Sequence, residues 1–233
     1  MGYDLARGRQ ALQLPGAVTY SFLPRTPNTA ILSAEAWSRG REIMLHLPMQ
    51  AADDRALGPG GLTLEMTEPE FRLVVEDDLA AVPHAVGVNN HMGSLLTRHP
   101  GAMGWLMAQL AERGGLYFVD SRTSEHTVAE RAALARGLVA SRRDVFLDNE
   151  PDEAYIAAQF HALVAVARRD GNAIAIAHPH PATLAVLRRE LPKLAQYGVG
   201  LLPVSRIIER QRRSPTWHAS SSPSPQVAKN SKP

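Results

Sequence analysis

The chain has 233 residues, 21% of them charged and 45% hydrophobic, which is enough for one sizeable core of ordinary globular composition. It contains no cysteine, excluding disulfides, thiolate nucleophiles and cysteine-ligated metal, and no stretch approaches the roughly 18 apolar residues of a spanning helix. Its net charge of +2 is unevenly held: residues 205–233 carry six Lys or Arg against Glu209 alone, so the rest is slightly acidic and lacks the basic stripe of a folded nucleic-acid binder.

Residues 3–13 read as a helix with no strand ahead of it. From Val18 onward strands and helices alternate. Residues 18–23 form a β-branched and aromatic strand, and residues 28–39 a helix stopped by Gly40. The run Ile43-Met44-Leu45 then leads into His46, with Pro48 ending the pairing because it lacks a backbone donor. Residues 50–66, containing Gly58-Pro59-Gly60-Gly61, read as a loop over the rim.

Thr67 caps a helix that runs to about Ala81, with Pro69 and an acidic first turn behind it. The run Ala85-Val86-Gly87-Val88 ends at Asn89-Asn90-His91. A helix over residues 100–113 stops at Gly114-Gly115, and Leu116-Tyr117-Phe118-Val119 meets Asp120-Ser121-Arg122. Residues 125–136 predict a helix, 143–147 a strand ending in Asp148, and 151–169 the longest helix. Ala173-Ile174-Ala175-Ile176-Ala177 runs into His178-Pro179-His180, followed by a helix over 181–196 and a strand over 199–202. The last 20 residues hold six serines and four prolines, and read as a disordered basic tail (214–233) behind a single domain over 1–213.

Short apolar runs separated by helix-length segments predict buried parallel strands, whose carboxyl ends line the site of a barrel or open sheet. The polar clusters are therefore the candidate site. His46 is a candidate metal ligand or general base, and equally a histidine bonded to a loop carbonyl. Asn89, Asn90, His91 and Ser94 surround a glycine that permits close backbone approach, which suits ligand binding; an Asx-stabilised turn is the plain alternative. Asp120 is a candidate base or an orienting partner for a histidine, and with Arg122 it also reads as a rim ion pair. His178 and His180 lie two residues apart, where extended geometry turns both to one side. Asp148-Asn149-Glu150 reads as a rim contributor or, preferably, as a helix cap before Pro151. Asp53-Asp54 and Glu76-Asp77-Asp78 read as solvated charges.

These blocks together resemble a known family. His46-Leu47-Pro48-Met49, Gly87 through Ser94 (Gly-Val-Asn-Asn-His-Met-Gly-Ser), Phe118 through Thr123 and Ala177 through Pro181 resemble the signature blocks of the divergent polysaccharide deacetylases, the YibQ-like group with a NodB-like fold. The likeness runs in order from Gly2 to about Ile208. It implies an α/β fold, a distorted (β/α)7-type barrel, and a metal-dependent deacetylase of N-acetyl sugars in the periplasm or cell envelope, acting on a carbohydrate or peptidoglycan-type substrate.

In that family a divalent metal, here expected to be zinc, polarises the acetamide and lowers the pKa of bound water. Carried over residue by residue, His46 matches the first metal histidine. The second falls at Gln50, a departure, so His91 becomes the substitute metal ligand. Asp120, His178 and His180 take the catalytic places, and Asn89, Asn90, Ser94 and Arg122 the substrate-binding ones. Members usually open with a strand ending in Ile-Asp-Asp-Leu/Met-Gly-Tyr, whereas this chain starts at Met1-Gly2-Tyr3. The resemblance thus implies a first strand, two site carboxylates and any export signal upstream. The rival reading is a non-catalytic carbohydrate-binding or scaffold protein that keeps the barrel. A different barrel hydrolase, such as an amidase or phosphodiesterase, is the third class.

Overall fold

A computed structural model describes residues 1–53 and 55–213; the expected tail over 214–233 and Asp54 lie outside the described residues. The expected α/β alternation is present. Five parallel strands form one sheet in the order β1 (Tyr20–Phe22), β2 (Ile43–Met49), β3 (Gly87–Met92), β4 (Tyr117–Asp120) and β5 (Val139–Arg142). Two more, β6 (Val145–Phe146) and β7 (Ala175–Ile176), form a second parallel pair.

Helices α1 (Leu5–Leu12), α2 (Thr29–Ser38), α3 (Glu68–Ala81), α4 (Pro100–Arg113) and α5 (Ala129–Ala135) accompany the large sheet; α6 (Glu153–Asp170) and α7 (Pro181–Glu190) accompany the small one. Helix starts follow local chemistry. Glu70 accepts a bond from the Thr67 N–H at 2.8 Å at the start of α3, and Asp152 accepts from the Tyr155 N–H at 2.8 Å at the start of α6. Gly171, in the left-handed region at φ 85, ends α6.

Strand alternation divides the side chains between two faces. Leu45, Leu47, Val88 and Phe118 pack outward against Leu32, Phe71, Val75, Met103, Leu106 and Leu110 of the helices. Met44, Tyr117 and Val119 point inward to meet Ile174 and Ile208. A further cluster joins Val145 and Leu147 to Ile156, Phe160 and Val186 from α6 and α7.

Three expectations change. Pairing of β2 does not end at Pro48 but continues in register through Pro48↔His91 and Met49↔Met92. Backbone groups of even-numbered residues here face β1, as Glu42 O does in accepting from the Tyr20 N–H. Pairing with β1 has finished at Phe22↔Leu45, and the Leu62 N–H donates to Pro48 O at 2.9 Å instead. The missing proline donor therefore breaks no ladder bond. Next, the strand expected over 143–147 is reduced to β6, and β5 precedes it at a place where no strand was expected.

Finally, residues 199–202 form no strand. They lead into α8 (Val204–Arg213), whose Ile208 enters the inner cluster. Glu42 anchors that helix, accepting from Tyr117 Oη and Thr19 Oγ1 at 2.9 Å each and from the Ser205 N–H at 3.1 Å. The start of the chain runs beside β1: the Met1 amino group donates to Ser21 O at 2.6 Å and the Leu23 N–H to Met1 O at 2.9 Å. No helix among the described residues is long and apolar enough to cross a membrane.

Candidate active site

His46 and His91 are delivered by regular strand geometry. His46 is paired with Asn89 and Pro48 with His91, so all four project from the same inner face. His91 Nδ1 lies 3.1 Å from His46 Nε2, and His46 Nδ1 lies 3.1 Å from Asn89 Oδ1. Burial holds both histidines neutral. It drives His46 well below the usual histidine range, helped by His91, the Met1 amino group and His178. His91 is lowered to about 4 by burial, then by His178 and the Met1 amino group, whose own pKa burial lowers to about 5.

The second group comes from loops. Asp148 follows β6 and His178 follows β7, facing each other at the top of the small sheet. His178 Nδ1 stands 3.0 Å from Asp148 Oδ1, while Asp148 Oδ2 accepts from the His178 N–H at 2.5 Å and from Thr183 Oγ1 at 2.9 Å. The carboxylate side chain is fully buried. Burial alone would raise its pKa, but the bonds from His178 and Thr183 hold it below the usual aspartate value. His180 is exposed, with its ring centroid 5.8 Å from that of His178. Asp148, His178 and His180 offer ligand atoms within 4.8 Å of one another, the one grouping of three such residues among those described.

Arg143 ties the turn after β4 to Phe146 beside the second group. Its Nε donates to Ser121 O at 2.7 Å and its NH2 to Arg122 O at 3.0 Å, while its guanidinium carbon sits 5.0 Å from the Phe146 ring centroid. Phe146 in turn lies 5.4 Å from the His178 ring. Burial, with Arg122 nearby, lowers the Arg143 pKa to about 10.

The other sequence-derived candidates divide. Asp120 shares the outward face with Phe118, away from the histidines. Its Oδ1 accepts from the Arg122 N–H and its Oδ2 from Thr127 Oγ1, each at 2.8 Å, so it shapes the turn into α5. Asn90, also outward, accepts from the Ser121 N–H and donates to Met92 O, both at 2.8 Å. Ser94 Oγ accepts from the Ala52 N–H at 2.9 Å, and Arg122 lines a cleft beside α5 and β5 with Arg131 and Arg142.

Gln50 is the residue at which the resemblance placed a second metal histidine. Its side chain ties the rim loop, Oε1 accepting from the Leu64 N–H at 2.8 Å and Nε2 donating to Glu65 Oε1 at 3.4 Å. Asp78, read as solvated, is fully buried and meets Arg25 Nε at 2.8 Å. For Asp148 the preferred reading as a cap gives way to the alternative of a rim contributor, and Asp152 caps the helix. The signal was present, because Phe146-Leu147-Asp148 repeats the apolar-run-then-aspartate pattern of Phe118-Val119-Asp120.

Comparisons with known proteins agree with this architecture. The family model for divergent polysaccharide deacetylases matches residues 1–208. The uncharacterized protein YibQ of Escherichia coli K12 is 40% identical over 188 residues, covering 81% of this chain and 59% of that protein. An uncharacterized protein of Haemophilus influenzae is 37% identical over 206 residues, covering 87% and 73%. The chain thus spans about three fifths of the length of YibQ. The crystal structure of uncharacterized protein ATU2773 from Agrobacterium tumefaciens C58 shares the fold, with a TM-score of 0.85 at 24% identity over 89% of this chain and 85% of that one. This chain belongs to the divergent polysaccharide deacetylase family.

Proposed function

We propose that this family member hydrolyses the acetamide of an N-acetylated sugar in the cell envelope, using a divalent metal held by His46 and His91 and a proton supplied by His178. The observation that carries the reading is the approach of His46 Nε2 to His91 Nδ1 at 3.1 Å, both rings half-buried on the inner face of the sheet and kept from charging by desolvation. Neutral imidazole is the form that ligates a cation, and two nitrogens each about 2.1 Å from one zinc stand roughly 3.0–3.4 Å apart. When bound there, such an ion polarises the acetamide carbonyl and acidifies a water.

The remaining chemistry falls to the protein's own groups. The His178 Nδ1–H donates a hydrogen bond to Asp148, which fixes the ring, and its bare Nε2 takes the proton of the attacking water and passes it to the departing amine. Asp148 already accepts three hydrogen bonds, which suits an orienting carboxylate better than a metal ligand. His180, exposed at the mouth, is the remaining proton carrier. Arg143 and Phe146 pack beside His178 and tie it to the turn after β4.

A second reading, a carbohydrate-binding protein without hydrolysis, is favoured by Gln50 and by the lack, among the described residues, of a carboxylate grouped with His46 and His91. Zinc titration combined with acetate release from N-acetylglucosamine oligomers separates the two. The deacetylase reading expects one zinc per chain, lost in His46→Ala/His91→Ala, and acetate release that His178→Ala abolishes while retaining the zinc. Absence of both zinc and acetate would leave the binding protein.

A further inference from the structure

Asn89 is 5% exposed and lies directly behind the histidine pair, so its amide has little surface to offer a ligand. Its Oδ1 receives the Ser21 hydroxyl and faces His46 Nδ1 at 3.1 Å; its Nδ2 donates to Ser121 Oγ at 3.1 Å. An amide oxygen offers two lone pairs and no proton. The proton between Asn89 and His46 therefore belongs to His46 Nδ1. A neutral imidazole has a single N–H, so Nε2 is left as a bare lone pair. That lone pair points at His91 Nδ1, 3.1 Å away.

We infer that Asn89 is a positioning residue: it locks His46 in the Nδ1–H tautomer and aims the Nε2 lone pair at the cation seat. The inference deepens the metal reading above and rests on it for the identity of the seat, but the tautomer belongs to the metal-free protein. It has a corollary for His91. With His46 Nε2 as acceptor, the proton in the metal-free pair sits on His91 Nδ1. A cation taken up at Nδ1 requires that proton to leave and His91 Nε2 to gain one from solvent. Loading then exchanges the His91 tautomer with no net proton release from the pair. Ser21 on β1 and Ser121 just after β4 complete the support from either side of Asn89.

The test is nitrogen-15 NMR of the histidine rings in the full metal-free chain at pH 8, followed by zinc titration. His46 should show a protonated Nδ1 and a bare Nε2 in the parent protein. The same should hold in Asn89→Asp, which keeps the acceptor and shows that the position tolerates substitution. Asn89→Leu should lose the preference and bind zinc about 10–100-fold more weakly, the usual cost of losing a group that orients a ligand. A protonated Nε2 on His46 in the parent overturns the inference, because Asn89 then presents its amide nitrogen. An unchanged tautomer in Asn89→Leu overturns it as well. A protonated Nδ1 with no zinc bound by any variant overturns the metal reading and leaves the tautomer lock standing.

Discussion

His46 and His91 are carried by neighbouring strands in continuous register, whereas His178 and His180 hang from the loop after a two-residue strand. The large sheet places its histidines by backbone geometry and surrounds them with buried amide and hydroxyl groups. Among the described residues no carboxylate offsets the loss of water there, so charge is suppressed. The small sheet fixes His178 by side-chain bonding, through a carboxylate kept ionised by its own donors. On the proposed reading, one side accepts a cation and the other moves a proton. A site that needs both can obtain them from the same residue type by changing only what stands behind the ring.

The sharpest way to break this contrast is Asp148→Asn. It should lower acetamide hydrolysis by about 10²–10⁴-fold, the range for losing a positioned proton donor, while zinc affinity stays within a few-fold. Equal losses of zinc and turnover would show that both groups serve the metal. Next comes the tie to the turn after β4. Arg143→Met strips the carbonyls of Ser121 and Arg122 of their donor and should cost about 3 kcal/mol in urea unfolding.

Titration sharpens the picture further. His46 and His91 have folded pKa values below the ordinary 6.5, so below that pH the unfolded chain takes up protons that the folded one refuses. Stability should therefore fall as the pH drops from 6.5 toward 4, on the order of 2 kcal/mol, and His91→Gln should flatten the slope. Denaturation midpoints at pH 7 and 4.5 measure it.

Asp78 carries the opposite sign. Burial raises it from 3.8 to about 7 against the pull of Arg25, so between those values the unfolded chain has released a proton that the folded chain keeps. Stability should decline with rising pH across that window, on the order of 1 kcal/mol, and Asp78→Asn should remove the decline.

Much of the contrast was legible before any coordinates. Each histidine cluster follows an apolar run, and the runs over 43–45, 85–88, 116–119 and 173–177 all contain strand residues. What stayed hidden was which way each side chain faces. A strand covered on both sides reads as continuously apolar, so Phe118-Val119-Asp120-Ser121 gives no period-two cue. Asp120 then looked like a site residue, although it shares a face with the core residue Phe118. Asp148 looked like a cap because a proline and a helix follow, and its partner His178 is distant in sequence. Helix α8 was missed because its charge dominates, with Ile208 and Gln211 its buried residues.

The most direct examination of the account is zinc-edge anomalous diffraction from crystals of this chain grown with zinc. It should place one ion between His46 Nε2 and His91 Nδ1, with His178 still bonded to Asp148. An ion seated instead on Asp148, His178 and His180 would contradict the division of labour between the two sheets.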